Sequence, residues 1–136
     1  MTAQDFHNKC DNKGKTICLF LNDKNNIFGG YSSIPWTSDG GDKTAKDCFL
    51  FTLTNIYNTE PTKFPYIKLR SVGHYCNNGP LFGWAADLYV FSPYGNPNVS
   101  GFPYSYQDVL GKGKSIFTGD FNSSFKLKEM EIFKVS

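Results

Sequence analysis

The chain has 136 residues and a formal net charge of +2, from 14 Lys and Arg against 12 Asp and Glu. This length suits one domain, spanning residues 1–136, and the near-neutral charge argues against nucleic-acid or anionic-membrane partners. No apolar run reaches the roughly 20 residues of a membrane span, and the polar first residues are not typical of a signal peptide. We therefore expect a single globular domain, without membrane insertion, in the cytoplasm.

The composition favours strands over helices. Aromatic residues make up 17% of the sequence, and 13 Gly and 7 Pro are spread along it. Aromatic and β-branched residues suit the pleated surface of a sheet, and Gly and Pro mark turns. The four cysteines are widely spaced and form no C-x-x-C pair, which favours reduced thiols.

A short helix is predicted at the N-terminus. Thr2 and Asp5 fit the Ser/Thr-x-x-acid capping pattern, and Phe6 and Cys10 share one helical face. Residues 12–14, Asn-Lys-Gly, end this helix.

Strands are predicted where apolar and polar residues alternate. The segments are 16–21, 27–31, 47–54, 66–72, 87–91, 115–118 and 129–135. In 66–72, Ile67 and Leu69 are expected to face inward, and the glycine pair Gly29 and Gly30 indicates a neighbouring backbone that lies very close. No strand–helix–strand rhythm is present. The fold is therefore predicted to be mainly β, a two-sheet antiparallel β-sandwich with one or two short helices.

Two segments carry a tryptophan that could contact a partner. The polar, Gly-rich segment 32–46 contains Ile34, Pro35 and Trp36, and apolar bulk in polar surroundings is typical of a contact point. Trp84 follows Leu-Phe-Gly, which favours a packed position, although tryptophan is also enriched at interfaces. We include all four residues as candidate partner contacts. A second long loop is predicted from residue 92 to about residue 114.

One alternative is a metal or redox protein. His7 and Cys10 lie three residues apart on the predicted helix, and His74 and Cys76 lie two apart near a strand, so four ligands could meet on zinc. The spacing is not that of a recognised zinc module. As a nucleophile pair, Cys76 and His74 lack an identifiable third residue and oxyanion donors. We expect instead that the cysteines pack at the core edge, that the histidines are solvated or capped, and that the chain is not an enzyme.

Two further motifs fail on their spacing. The segment Gly113-Lys114-Ser115 lacks the earlier glycine of a phosphate-binding loop, where this chain has Asp108. The acidic segment beginning at Asp120 lacks the glycine that a calcium loop needs at its sixth position. We predict no cofactor and no metal.

Six motifs in chain order resemble those of the TLDc domain family. They are DFHNKCD at 5–11, IFGGYSSIPW at 27–36, FLFTLTN at 49–55, GPLFG at 79–83, DL at 87–88 and EMEIFKV at 129–135. The resemblance implies a two-sheet sandwich. It also implies a non-catalytic protein-binding domain, associated with protection against oxidative stress and with binding and regulation of the vacuolar proton-pumping ATPase.

The chain departs from the family pattern in two places. The family's strand upstream of Asp5 is expected to be missing, which would leave an open sheet edge for a partner or for self-association. The glycine-rich stretch usual before Asp87 is replaced by Trp84-Ala85-Ala86. A bulky indole there would reshape any binding surface that the family has at this point.

Overall fold

The computed structural model describes residues 2–91 and 98–136. It begins with the predicted helix, α1 (Ala3–Cys10). The Thr2 Oγ1 atom accepts a hydrogen bond from the Asp5 amide at 3.2 Å, and the Asp5 carboxylate accepts one from the Thr2 amide at 3.0 Å. This reciprocal cap fixes the start of the helix. Phe6 is fully buried beneath it, so α1 is fastened to the sandwich by its apolar face.

The first sheet has five strands in the spatial order β11-β1-β2-β4-β5, and every neighbouring pair is antiparallel. The strands are β1 (Thr16–Asn22), β2 (Ile27–Ser32), β4 (Phe49–Thr54), β5 (Thr62–Pro65) and β11 (Leu127–Lys134). Burial alternates along β1: Thr16, Cys18 and Phe20 are buried, and the residues between them are half-buried.

The second sheet has six short strands in the order β10-β9-β8-β7-β6-β3. They are β3 (Gly41–Lys43), β6 (Val72–His74), β7 (Leu81–Phe82), β8 (Leu88–Tyr89), β9 (Asn98–Val99) and β10 (Ser124–Phe125). Strand β3 lies inside the segment that the sequence predicts as a loop, and β9 lies inside the second predicted loop. Residues 92–97 of that second loop lie outside the described residues.

The two sheets pack face to face, which confirms the predicted β-sandwich. Phe28, Leu50 and Phe64 from the first sheet are fully buried against Phe82 and Leu88 from the second. Gly30 explains how closely the two layers approach, and Gly29 has its close neighbour within its own sheet. A Cβ on Gly30 would lie 2.5 Å from the Phe82 ring, and one on Gly29 would lie 1.9 Å from the Cys18 carbonyl oxygen. The predicted close neighbour is therefore confirmed.

Residues 115–118 form a helical turn, so the predicted strand is wrong. This turn, α2 (Ser115–Thr118), ends at Gly119, which has φ of +86°. All four residues of α2 are buried. A strand would turn alternate residues outward, whereas one helical turn at the core edge buries Ile116 and Phe117 together. The centre of the Phe117 ring lies 4.8 Å from the centre of the Phe102 ring and 5.4 Å from that of the Phe28 ring.

Residues 67–70 form a bent surface segment, so the strand predicted for 66–72 is also wrong. Ile67 and Leu69, predicted to face inward, are 52% and 46% exposed. Pro65 ends β5, and Leu69 adopts φ of +61°, which no strand residue has. Only β6 at the end of the predicted segment pairs in a sheet, and the bent segment lies on the surface described next.

Candidate interaction surface

Three loop segments bring exposed apolar side chains together on one surface. The Ser105 backbone oxygen accepts from the Ile67 amide at 2.8 Å, and the Ser105 hydroxyl accepts from the Trp84 amide at 2.8 Å. We call this surface the Trp84 patch; it comprises Ile67, Lys68, Leu69, Arg70, Trp84 and Tyr104. Trp84 is 52% exposed and Tyr104 is 37% exposed. Clustered exposed apolar side chains of this kind are typical of interaction sites.

The buried Asp87 carboxylate holds one wall of the Trp84 patch in place. It accepts hydrogen bonds from the backbone amides of Tyr104 at 2.8 Å, Ser105 at 3.0 Å and Tyr106 at 3.2 Å. Asp87 itself is fully buried. Burial raises the pKa of this carboxyl, and the three amide donors act in the opposite direction. Asp87 thereby ties the chain around Trp84 to the chain around Tyr104.

Arg70 supports the exposed indole. Its guanidinium carbon lies 5.3 Å from the centre of the Trp84 ring, and its Nε atom donates to the Gly83 carbonyl at 3.1 Å. Its Nη1 atom donates to the Asp42 carboxylate at 2.6 Å, which also accepts from the Tyr75 hydroxyl at 2.5 Å. These hydrogen bonds, first that of Tyr75 and then that of Arg70, lower the pKa of Asp42. The cation is held over the ring, so Trp84 is presented in a fixed orientation.

One residue of the Trp84 patch and one residue close to it in sequence have backbone in the left-handed region. Leu69 has φ of +61° and Ala86 has φ of +55°. This conformation costs a residue with a side chain about 1 kcal/mol or more, and it persists only where surrounding contacts hold it. The Leu69 carbonyl accepts from the hydroxyls of Tyr66 and Thr44, the latter at 3.3 Å. The result is an aliphatic side chain held toward solvent.

The structure places Trp36 in the core, unlike Trp84. The Trp36 side chain is fully buried, and its Nε1 atom donates to the Thr16 hydroxyl at 2.9 Å. A side chain without exposed surface offers a partner no direct contact. Ile34 is half-buried against the core and Pro35 is exposed. Of the four candidate contacts, Trp84 and Pro35 are therefore the ones that reach solvent freely.

The structure brings His7 close to the segment that contains His74 and Cys76. The His7 Nε2 atom lies 2.8 Å from the carbonyl oxygens of Tyr75 and Asn78, and its Nδ1 atom lies 2.7 Å from the Asp11 carboxylate. Each ring nitrogen therefore has an oxygen neighbour within hydrogen-bond distance, and the Nε2 atom has two. The histidine is capped, but it is buried rather than solvated.

The remaining residues of the proposed metal site lie in different environments. His74 is 1% exposed, and its Nδ1 atom lies 3.0 Å from the Thr37 hydroxyl. Burial is the main cause that lowers the pKa of His74, and burial also raises the pKa of the Cys10 thiol. Cys76 is exposed, although we predicted it at the core edge, and all four thiols are free. Among residues 2–91 and 98–136, no three His, Cys, Asp or Glu side chains are grouped closely enough to hold a metal ion.

In the acidic segment after α2, the Asp120 carboxylate forms an ion pair with a lysine. The Asp120 carboxylate lies 3.2 Å from the Lys24 ammonium and accepts from the Asn122 amide at 2.8 Å. These two contacts, the amide first, lower the pKa of Asp120.

Within the described part of the chain, neither helix is long and apolar enough to cross a membrane.

The sequence pattern favoured a packed position for Trp84 and did not indicate its neighbours on the surface, whereas the structure leaves its side chain 52% exposed. Ile67 and Leu69 were predicted to face the core, and nothing in the local pattern singles out Tyr104. The available signal was the bulky Trp84 directly before two alanines, in the segment where the resemblance implies glycine-rich sequence.

The comparisons with known proteins agree with the motifs in the sequence. No curated protein matches the chain. The family model described as the TLDc domain matches residues 1–136, which is the full length of the sequence. With the two-sheet architecture described above, this match establishes that the chain belongs to the TLDc domain family.

Proposed function

We propose that this chain is a non-catalytic protein-interaction module that binds its partner through the Trp84 patch. The observation that carries the proposal is the exposed Trp84 indole, held in place by Arg70 and flanked by Leu69 and Tyr104. Tryptophan, tyrosine and arginine dominate the binding energy of protein interfaces. Because Arg70 and Asp87 already fix this surface, little conformational freedom is lost on binding.

We propose the vacuolar proton-pumping ATPase as the partner, and protection against oxidative stress as the wider role. Membership of the TLDc family supports the wider role, since the family is of the oxidation-resistance type, and the ATPase follows from what the resemblance implies. The composition of the Trp84 patch supports a protein partner in general. We also propose that binding takes place in the cytoplasm, where the four free thiols would remain reduced.

The test is a binding titration of the purified chain against the isolated ATPase. Trp84→Ala should weaken binding by about thirtyfold, because truncating a central tryptophan costs about 2 kcal/mol or more. Phe121→Ala is the matched control, since Phe121 is 87% exposed on the loop after α2, outside the Trp84 patch. Both variants should unfold at the wild-type denaturant concentration.

Two results would count against this assignment. If Trp84→Ala and Arg70→Ala both bind the ATPase as wild type does, the Trp84 patch is not the contact surface. If the wild-type chain itself does not bind, the ATPase is not its partner, and the surface then needs a different one.

A further inference from the structure

The outer face of the five-stranded sheet, on the side away from the core, is apolar. Strand pairing aligns its side chains in rows that cross the sheet. One row contains Phe133, Ile17, Tyr31, Phe49 and Pro65, and the next contains Glu131, Leu19, Gly29, Phe51 and Lys63. A third row begins with Glu129, Leu21 and Ile27. A soluble antiparallel sheet normally alternates apolar residues inside with polar residues outside, and this face does not.

The apolar part of this face is partly open to solvent: Phe51 is buried, and Leu19 and Phe49 are half-buried. Phe133 is 50% exposed and Leu53 is 42% exposed. Between strands β1 and β4 lies a groove of about 290 Å³, whose walls include Leu19, Phe51 and Leu53. Gly29, on the central strand β2, adds no side chain to this face, and its partners on the two neighbouring strands are Leu19 and Phe51.

Opposite charges stand at the two edges of the central row. Glu131 lies on the edge strand β11 and Lys63 lies on the edge strand β5, with the row's apolar residues and Gly29 between them. Both side chains are exposed, and within residues 2–91 and 98–136 neither forms an ion pair. Lys63 Nζ lies 4.5 Å from the centre of the Phe49 ring, which places the lysine over the same face.

We propose that this outer face is a self-association surface and that its occupant is a second copy of the chain. A two-fold axis running along β2 above Gly29 exchanges the two edges of the sheet. It therefore places Glu131 of one copy over Lys63 of the other, and it does so twice in the dimer. The apolar rows between these charges face each other, as the inner faces of two packed sheets do.

The size of the face is compatible with a weak dimer. Five strands about 4.8 Å apart and three rows about 7 Å apart give a face of roughly 500 Å². Two such faces bury roughly 1,000 Å² together, at the lower end of specific interfaces. An interface of this size suits a reversible dimer, and its charged contacts make the dimer sensitive to salt. This surface is distinct from the Trp84 patch, so the two proposals can fail independently.

The experiment is sedimentation equilibrium of the full chain over a range of concentrations, with charge-reversal variants. Lys63→Glu and Glu131→Lys should each raise the dissociation constant at least about tenfold, because each replaces two attractive contacts by two repulsive ones. Combining both changes in one chain should restore the dimer. Mixing the two single variants should also give a heterodimer, because both contacts are then attractive again. Lys46→Glu, an exposed lysine in the loop before β4, is the matched control.

The outcomes separate the occupants of the face. A dimer lost in the single variants and restored in the mixture supports the proposal. A monomer at every concentration overturns it and leaves the face to another partner. A dimer whose dissociation constant is unchanged by charge reversal also overturns the proposal. It would indicate pairing elsewhere, such as at the edge strand β11. In each case the Lys63→Glu variant should still bind through the Trp84 patch if the proposed function holds.

Discussion

Replacing Asp87 with Ala should be among the most destabilising single changes in the loops of this protein. The substitution leaves three backbone amides without their acceptor, and two of these belong to the buried residues Ser105 and Tyr106. A buried donor left unsatisfied costs about 1–3 kcal/mol. The free energy of unfolding should therefore fall by about 2–6 kcal/mol.

Asp108→Ala provides a matched control. The Asp108 carboxylate also accepts three backbone amides, those of Leu110, Gly111 and Gly113, at 3.2, 2.8 and 2.7 Å. This loop is only part-buried, so water can replace the lost acceptor. Its loss should cost about 1 kcal/mol. Urea unfolding followed by tryptophan fluorescence measures both variants on the same scale.

Equal losses of stability in the two variants would refute this reasoning, because the number of hydrogen bonds and not their burial would then set the cost. If Asp87→Ala does not fold, Asp87→Asn keeps one acceptor oxygen and should fall between wild type and the Ala variant. Asp87→Asn should also weaken binding through the Trp84 patch, since the carboxylate fixes the position of Tyr104.

Three further measurements test the core, a buried histidine and the thiols. Gly30→Ala should lower the free energy of unfolding by about 1–3 kcal/mol, and Phe82→Leu should partly restore it. Gly29→Ala should lower it further, because the added Cβ meets a backbone carbonyl that cannot rotate away. Denaturant titration ranks the variants. Burial lowers the pKa of His74 below 6.5, so the His74 ring takes up its proton at a higher pH in the unfolded chain than in the folded chain. Stability should therefore fall by up to about 1.4 kcal/mol per pH unit as the pH drops below about 6.5, and His74→Gln should flatten that slope. In the native state a thiol reagent should label Cys76 alone, with the other three cysteines reacting only after unfolding; fast labelling of a second thiol would contradict their burial.

The parts of the fold that the sequence predicts correctly are those with a complete local pattern. The capping pair Thr2 and Asp5 defines the start of α1, and alternation over seven residues defines β1. A slip of one residue would turn the buried face of β1 to solvent, so the pattern there determines the structure. The glycine pair in β2 also predicted close packing correctly, because two residues without side chains in one strand indicate a crowded position.

The parts that failed are short or depend on distant residues. Four residues at 115–118 are too few to distinguish a strand from one helical turn, and the flanking Gly113 and Gly119, both with positive φ, were the available signal. The segment 66–72 alternates, but Arg70 is drawn out of any strand by the Gly83 carbonyl and the Asp42 carboxylate. Both partners are remote in sequence, so alternation alone could not reveal them.

The two tryptophans show why a candidate surface is harder to predict than a fold. Trp36 lies among polar residues in the sequence, yet its side chain is packed in the core. The centres of the Phe6 and Phe82 rings lie 5.3 and 5.5 Å from the centre of its ring, and the Thr16 hydroxyl accepts a hydrogen bond from its indole nitrogen. Trp84 follows three buried residues, Leu-Phe-Gly, yet its ring stays at the surface against Arg70. In both cases the environment comes from partners 14 or more residues away. Trp36→Ala should therefore reduce stability, and a loss of partner binding in that variant would report damage to the core rather than a lost contact.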